Sequence, residues 1–189
     1  KLKSQPENKN NKIIWKNPVL SINGSFIPNQ GFHFENVPHL NNSQTSIEEA
    51  SKIKEIVDEL HCGKYEYFSR GKLCFGTIEK KDILVIAPYN AQVNLLKNYL
   101  NDKARVSTVD KFQGQEAPIV FMSMCASNAL ESPRGIEFLF SKHRLNVALS
   151  RAQSLVVVVG SPNLARTPVN NLRQMELVNF YAEIINQGH

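Results

Sequence analysis

The sequence predicts an α/β protein built on a mostly parallel, doubly wound sheet, and three observations carry that prediction. Short unbroken apolar runs, "DILVIAPY", "PIVFMSM" and "SLVVVVGS", have the length and composition of strands buried on both faces. Segments with apolar residues at helical spacing alternate with them, as in "TSIEEASKIKEIVDELH" and "NAQVNLLKNYL". With 189 residues, 42% of them hydrophobic, the chain is long enough for one domain with a real core and short for two.

In chain order, the opening "KLKSQPENKNNK" is polar and Asn/Lys-rich, and "IIWKNPVLSINGSFIPNQG" mixes apolar residues with Pro and Gly. We therefore expect residues 1–30 to be a flexible or connecting segment and residues 31–189 to be the folded domain, with Trp15 packing the first onto the second. "GFHFENV" alternates as a strand does. The following helix sets Ile47, Ala50, Ile53, Ile56, Val57 and Leu60 on one face, with Thr45 or Ser46 as N-cap and Glu48 and Glu49 in the first turn, where the helix dipole favours them. "CGKYEYFSRGKLCFGTIEKKD" has aromatics but no clear period and reads as a long connection able to hold a hairpin. "DILVIAPY", "ARVSTVD", "PIVFMSM" and "SLVVVVGS" are strands; "NAQVNLLKNYL", "HRLNVALSRAQ" and "NNLRQMELVNFYAEIINQ" are helices.

Charge and cysteine usage narrow the function classes. A net charge of +5 and a pI near 9.1 suit a polyanionic partner, although 22 Lys and Arg face 17 Asp and Glu, so a mildly basic protein without such a partner fits as well. Cys62, Cys74 and Cys125 are far apart and lack Cys/His ligand spacing, which favours a reducing, intracellular (cytoplasmic) compartment. His33, His39, His61, His143 and His189 also lack metal spacing. No stretch approaches the roughly 20 apolar residues of a membrane helix. The chain begins at Lys1 rather than Met, and we expect it to be part of a longer protein.

Ligands of open α/β sheets bind at the carboxyl ends of the strands. The informative residues are then Pro88, Tyr89 and Asn90, then Thr108, Val109 and Asp110, and then Gly160 and Ser161. "DKFQGQE" becomes a strand-end loop of polar side chains in which Gly114 lets the backbone turn sharply or approach a ligand.

Three of these stretches, "ILVIAPYNAQVNLL", "VSTVDKFQGQEAPIVFMSM" and "RLNVALSRAQSLVVVVGS", resemble in order the fourth, fifth and sixth motifs of superfamily 1 helicases, in the branch that includes the RNA helicases of nonsense-mediated decay. The resemblance covers roughly residues 31 to 165 and implies the second of two RecA-like P-loop NTPase domains. It also implies ATP and Mg2+ as cofactors, the Mg2+ held mainly by a first RecA-like domain. The implied partners are single-stranded DNA or RNA, moved along in the 5′ to 3′ sense, and that first domain. A phosphate loop needs G-x-x-x-x-G-K-[ST], and neither Gly63-Lys64 nor Gly71-Lys72 supplies it. Asp58 and Glu59 mimic the metal-binding acidic pair of such motors but fall on the polar side of a helix. Alone, this chain is expected not to hydrolyse ATP.

By the same resemblance, Arg151 is the arginine finger that offsets charge developing on the transferred phosphoryl group. Glu116, with Gln113 and Gly114, matches the family's QG-x-E on the nucleotide side; it orients Arg151 or water, or else it is a loop carboxylate capping the next turn. Arg144, seven residues before Arg151 and expected on the same helix face, supports Arg151, meets the neighbouring domain, or forms a structural ion pair. Pro88, Tyr89, Asn90, Thr108, Val109 and Asp110 are expected to track nucleic acid; Tyr89 could stack on a base, pack against the nucleotide cleft, or form the edge of the core.

The chain departs from the family at several points. A Gln-Tyr-Arg-Met-His-Pro stretch is not found in residues 1–30, Gln115 and Gln153 stand where basic residues are common, and the Cys62 to Lys81 connection is long. Two competing readings remain. One is a non-motor nucleic-acid-binding or regulatory domain of the same fold. The other, a generic dinucleotide-binding domain, lacks its G-x-G-x-x-G.

Overall fold

A computed structural model describes residues 11–69, 72–112 and 115–187. Gln113, Gly114, Gly71, His189 and the first ten residues therefore lie outside the described residues. The elements run β1 (Lys12–Ile14), β2 (Gly31–Asn36), α1 (Ile47–Cys62), β3 (Lys64–Ser69), β4 (Lys72–Thr77), β5 (Ile83–Ile86), α2 (Asn90–Leu100), β6 (Arg105–Ser107), β7 (Ala117–Ser123), α3 (Gly135–Leu139), α4 (Lys142–Leu149), β8 (Ala152–Gly160) and α5 (Leu172–Gln187).

Five strands form a sheet in the order β2-β8-β7-β5-β6, and every neighbouring pair is parallel. The strands read as continuous apolar runs because both faces are covered. On one face, Ile83, Val85, Ile119, Phe121, Leu155 and Val157 meet α1 and α2; on the other, Leu84, Ile86, Val120, Met122, Val156 and Val158 meet α3, α4 and α5. This is the α/β, RecA-like arrangement that the sequence predicts. Among the described residues, no helix is long and apolar enough to cross a membrane.

A second, antiparallel sheet in the order β1-β3-β4 holds the hairpin anticipated between Cys62 and Lys81. Its first strand differs from the expectation for residues 1–30. Ile13, Val19 and Ile27 are buried in the α1/α2 core and Trp15 packs against it, so burial of three apolar side chains outweighs the Pro and Gly punctuation around them. Another difference concerns α1, where Ser46 caps the helix but Ile47 is 59% exposed and Glu49 is fully buried. A third is that α4 stops at Leu149, so Arg151 sits in the turn before β8 and not on a helix face with Arg144.

Candidate functional site

The predicted residues fall at two opposite edges of the sheet. Strands β5, β6 and β7 are parallel, so Ile86, Ser107 and Ser123 end them at one edge, the carboxyl edge, while Glu116 and Arg151 immediately precede β7 and β8 at the other. The sequence places the loop "DKFQGQE" at a strand end, with Glu116 on the nucleotide side, and does not separate the two edges. In the structure the Val109–Phe112 turn lies just past the end of β6, and Gln115 and Glu116 stand at the amino edge, because a parallel strand can only be started from there.

At the carboxyl edge, the Tyr89 ring is 6% exposed and packs 5.3 Å from Phe138, and its hydroxyl is hydrogen-bonded to Ser132. Of the alternatives open for Tyr89, this is the core edge. Val109 is likewise buried, so its side chain is not presented to a ligand. Pro88 and Thr108 are half-buried, and Asn90, the first residue of α2, and Asp110 are exposed. Arg144 belongs here too: its guanidinium lies 3.6 Å from the Asp110 carboxylate and 4.1 Å from the Phe138 ring centroid, across which Arg134 sits at 3.8 Å. The expectation that Arg144 shares a face with Arg151 is corrected by the early end of α4 and by these two attractions.

Behind this edge stands a group that the sequence reading did not find. Glu49 is fully buried and its carboxylate accepts from Ser123 Oγ at 2.6 Å, from the Cys125 backbone N–H at 2.9 Å and from His39 Nε2 at 2.8 Å. His39 Nδ1 is 2.7 Å from Ser127 Oγ, which also accepts from the Asn42 N–H. Cys125 has φ +53, a conformation that costs a non-glycine residue energy, and the Glu49 carboxylate holds it there. Burial, with Glu49 adding to it, pushes the Cys125 thiol well up, so this cysteine is structural rather than reactive.

At the amino edge, the Ala117 N–H donates to the Arg151 carbonyl at 3.1 Å and joins the two motif ends. Glu116 is exposed and its Oε2 accepts from Gln153 Nε2 at 3.3 Å, so the side chain that it meets is Gln153 and not Arg151. Arg105 donates from Nη1 to Gln115 Oε1 at 2.9 Å and from Nη2 to the Glu116 carbonyl at 3.2 Å. Arg151 is half-buried, and among the described residues its buried Nε has no hydrogen-bond partner. A half-buried guanidinium with an unused donor fits an anion such as a phosphate.

Asp58 and Glu59 are engaged otherwise. Asp58 is paired with Lys54 and, at 2.7 Å, with Lys103, and Glu59 accepts from Asn17. Burial works to raise the Asp58 carboxyl, but those two lysines outweigh it and hold it below its ordinary value. Among the described residues, no group of three His, Cys, Asp or Glu side chains is placed to hold a metal ion.

Comparison with known proteins adds sequence-wide evidence. A family model described as AAA domain matches residues 1–163. The chain is 31% identical over 158 residues to mov-10-B.2 of Danio rerio, covering 75% of this chain and 16% of that protein. It is 39% identical over 92 residues to DNA polymerase alpha-associated DNA helicase A of Schizosaccharomyces pombe, covering 47% and 14%. It is 35% identical over 117 residues to the Regulator of nonsense transcripts 1 homolog of Drosophila melanogaster, covering 56% and 9%. The chain thus spans less than a fifth of each of these relatives.

Proposed function

Because this chain belongs to the AAA domain family and is a superfamily 1 helicase domain, we propose that it is the second motor domain of a longer ATP-dependent helicase that couples ATP hydrolysis to movement along single-stranded nucleic acid in the 5′ to 3′ sense. The observation that carries this reading is the placement of Glu116 and Arg151 at one sheet edge, where the Ala117 N–H is bonded to the Arg151 carbonyl and, among the described residues, the buried Arg151 Nε has no partner. In this proposal residues 31–189 are the motor domain and residues 1–30 the connection leading into it, within an intracellular protein. Nucleotide lies between the amino edge and a first RecA-like domain that supplies the phosphate loop and the Mg2+ ligands.

The residues of this chain then do two things. Arg151 offsets the negative charge that develops on the transferred phosphoryl oxygens, and Glu116, kept off the phosphates by its own charge, orients water, a ribose hydroxyl or the finger. At the opposite edge Asn90, Thr108 and Asp110, with backbone amides beside them, track the nucleic-acid backbone without reading sequence. Gln113 and Gly114 complete the nucleotide loop, and Pro88, Tyr89 and Val109 shape the strand ends from within. Arg144, beside Asp110, serves the nucleic-acid edge.

The test is ATP hydrolysis by the full-length protein, with and without single-stranded DNA or RNA, comparing wild type with Arg151→Ala. A polymer-stimulated rate that falls by about 10²-fold or more, with ATP still bound, is expected for a finger. Unstimulated or unchanged hydrolysis would overturn the motor reading in favour of a regulatory domain of the same fold.

A further inference from the structure

We propose that Arg105 is the positioning residue of the nucleotide edge, a clamp that sets where Glu116 stands; this rests on the reading of that edge as nucleotide-binding. Arg105 is the first residue of β6, the outermost strand of the sheet, two strands away from the β7 start that it braces. Its guanidinium spans two consecutive residues, Nη1 on the Gln115 amide oxygen and Nη2 on the Glu116 carbonyl. Two parallel donors in a fixed plane can hold both acceptors at once, which a lysine ammonium cannot do with the same geometry.

Glu116 is thereby held from three directions. Arg105 fixes its carbonyl, Gln153 takes its carboxylate, and the next residue, Ala117, is tied to the Arg151 carbonyl. Of these, only the Arg105 contact reaches the loop from outside the β7/β8 pair. Among the described residues, Gln115 is further held by its own N–H to the Phe112 carbonyl at 3.1 Å, a bond local to the turn. Both acceptors of Arg105 are neutral, so its charge is not cancelled by a carboxylate there, and it adds positive potential beside the edge where Arg151 stands. A clamp of this kind acts through the residue that it positions, so its first effect is on binding geometry.

The experiment uses the full-length protein with saturating single-stranded nucleic acid, and compares wild type, Arg105→Lys and Arg105→Ala, each with Glu116 intact and with Glu116→Ala. Arg105→Ala should raise the KM for ATP roughly tenfold with kcat within about twofold, and Arg105→Lys should recover only part of the loss. In the Glu116→Ala background the same substitution should move KM by less than about twofold, because the carboxylate that the clamp positions is gone although the backbone carbonyl it holds remains. Equal effects in both backgrounds would overturn the proposal. Hydrogen exchange of the Ala117 amide gives an independent reading: it should quicken in Arg105→Ala while Phe121, mid-strand, stays protected, and an unchanged Ala117 overturns the clamp whether or not ATP is hydrolysed. A wild type without stimulated hydrolysis would instead overturn the motor reading, and an exchange difference that persisted would tell the two failures apart.

Discussion

Replacing Glu49 should cost the fold more than replacing any other acidic residue of α1. Its carboxylate is fully buried and meets three donors, His39 Nε2, Ser123 Oγ and the Cys125 N–H, at distances between 2.6 and 3.0 Å. Alanine leaves all three facing a gap, and an orphaned buried polar group costs about 1–3 kcal/mol. Ser123 Oγ still accepts from the Gln92 amide but its own O–H loses its acceptor; a water can enter the gap and meet the freed donors, so the lower half of that sum is the better figure. We expect a loss of about 3–5 kcal/mol, comparable to removing one partner of a buried ion pair. For a chain of this length that corresponds to a fall in Tm of roughly 6–20 °C. Glu49→Gln should lie between, since the amide oxygen still accepts but its NH2 meets donors. Thermal and urea unfolding followed by circular dichroism measures this, with Glu48→Ala as the control, because Glu48 is exposed and its carboxylate accepts from Asn42 and Ser46. Equal losses in Glu48→Ala and Glu49→Ala would refute the reasoning.

Other consequences follow from packing and from titration. At Gly160, the end of β8, an added Cβ would stand 2.7 Å from Tyr181 Oη and 3.0 Å from Met124 Cγ, so Gly160→Ala should cost about 1–3 kcal/mol of overpacking, read as a lower urea midpoint. Burial works to raise the Glu35 carboxyl, but the His33 hydrogen bond, the Ile22 N–H and the Lys52 charge together bring it below its ordinary value. A depressed folded pKa contributes stability above the unfolded value near 4.3, and that stability is lost as pH falls through the folded pKa. The difference in urea midpoint between wild type and Glu35→Gln should therefore be largest at pH 6 and shrink on going to pH 3; a constant difference would refute the linkage.

The central strands were legible because burial on both faces leaves no polar position to confuse the pattern. Elsewhere the composition of the chain misdirected the reading. Phe68, Leu73 and Phe75 are exposed on the hairpin, so β3 and β4 lack the alternation of a half-buried strand. α3 is only five residues long and begins at a glycine with φ +70, which removes both length and propensity as signals. For α1, however, the sequence did hold the clue to Glu49. Glu49, Ile53, Ile56 and Leu60 follow the helical period, whereas Ile47 falls in line with Ser51, Lys54 and Asp58. A charged residue inside an apolar stripe implies buried partners, and here they are His39, Ser123 and the backbone of Cys125.

The candidate site was harder to read than the fold because sequence proximity does not report which sheet edge a residue occupies. Between β6 and β7 the chain has only residues 108–116 in which to leave the carboxyl edge and begin a parallel strand at the other, so one continuous motif must visit both. The seven residues of β7 put those edges roughly 23 Å apart at about 3.3 Å per residue. Thr108 and Asp110 thus stand at the edge proposed for nucleic acid, Gln115 and Glu116 at the edge proposed for nucleotide, and Phe112, buried between them, anchors the connection in the core. A displacement at either end has two ways to reach the other: along this short segment past Phe112, or through β7 between the Glu49 hub and the Ala117 to Arg151 bond. The two routes make different demands. A lever at Phe112 needs the loop to be held at its far end, which is what Arg105 does, whereas a rigid β7 would transmit the same signal with Arg105 removed. The near-unchanged kcat expected of Arg105→Ala with saturating nucleic acid therefore assigns the coupling to the strand, and loss of polymer stimulation in that variant at saturating ATP would overturn this and assign it to the loop.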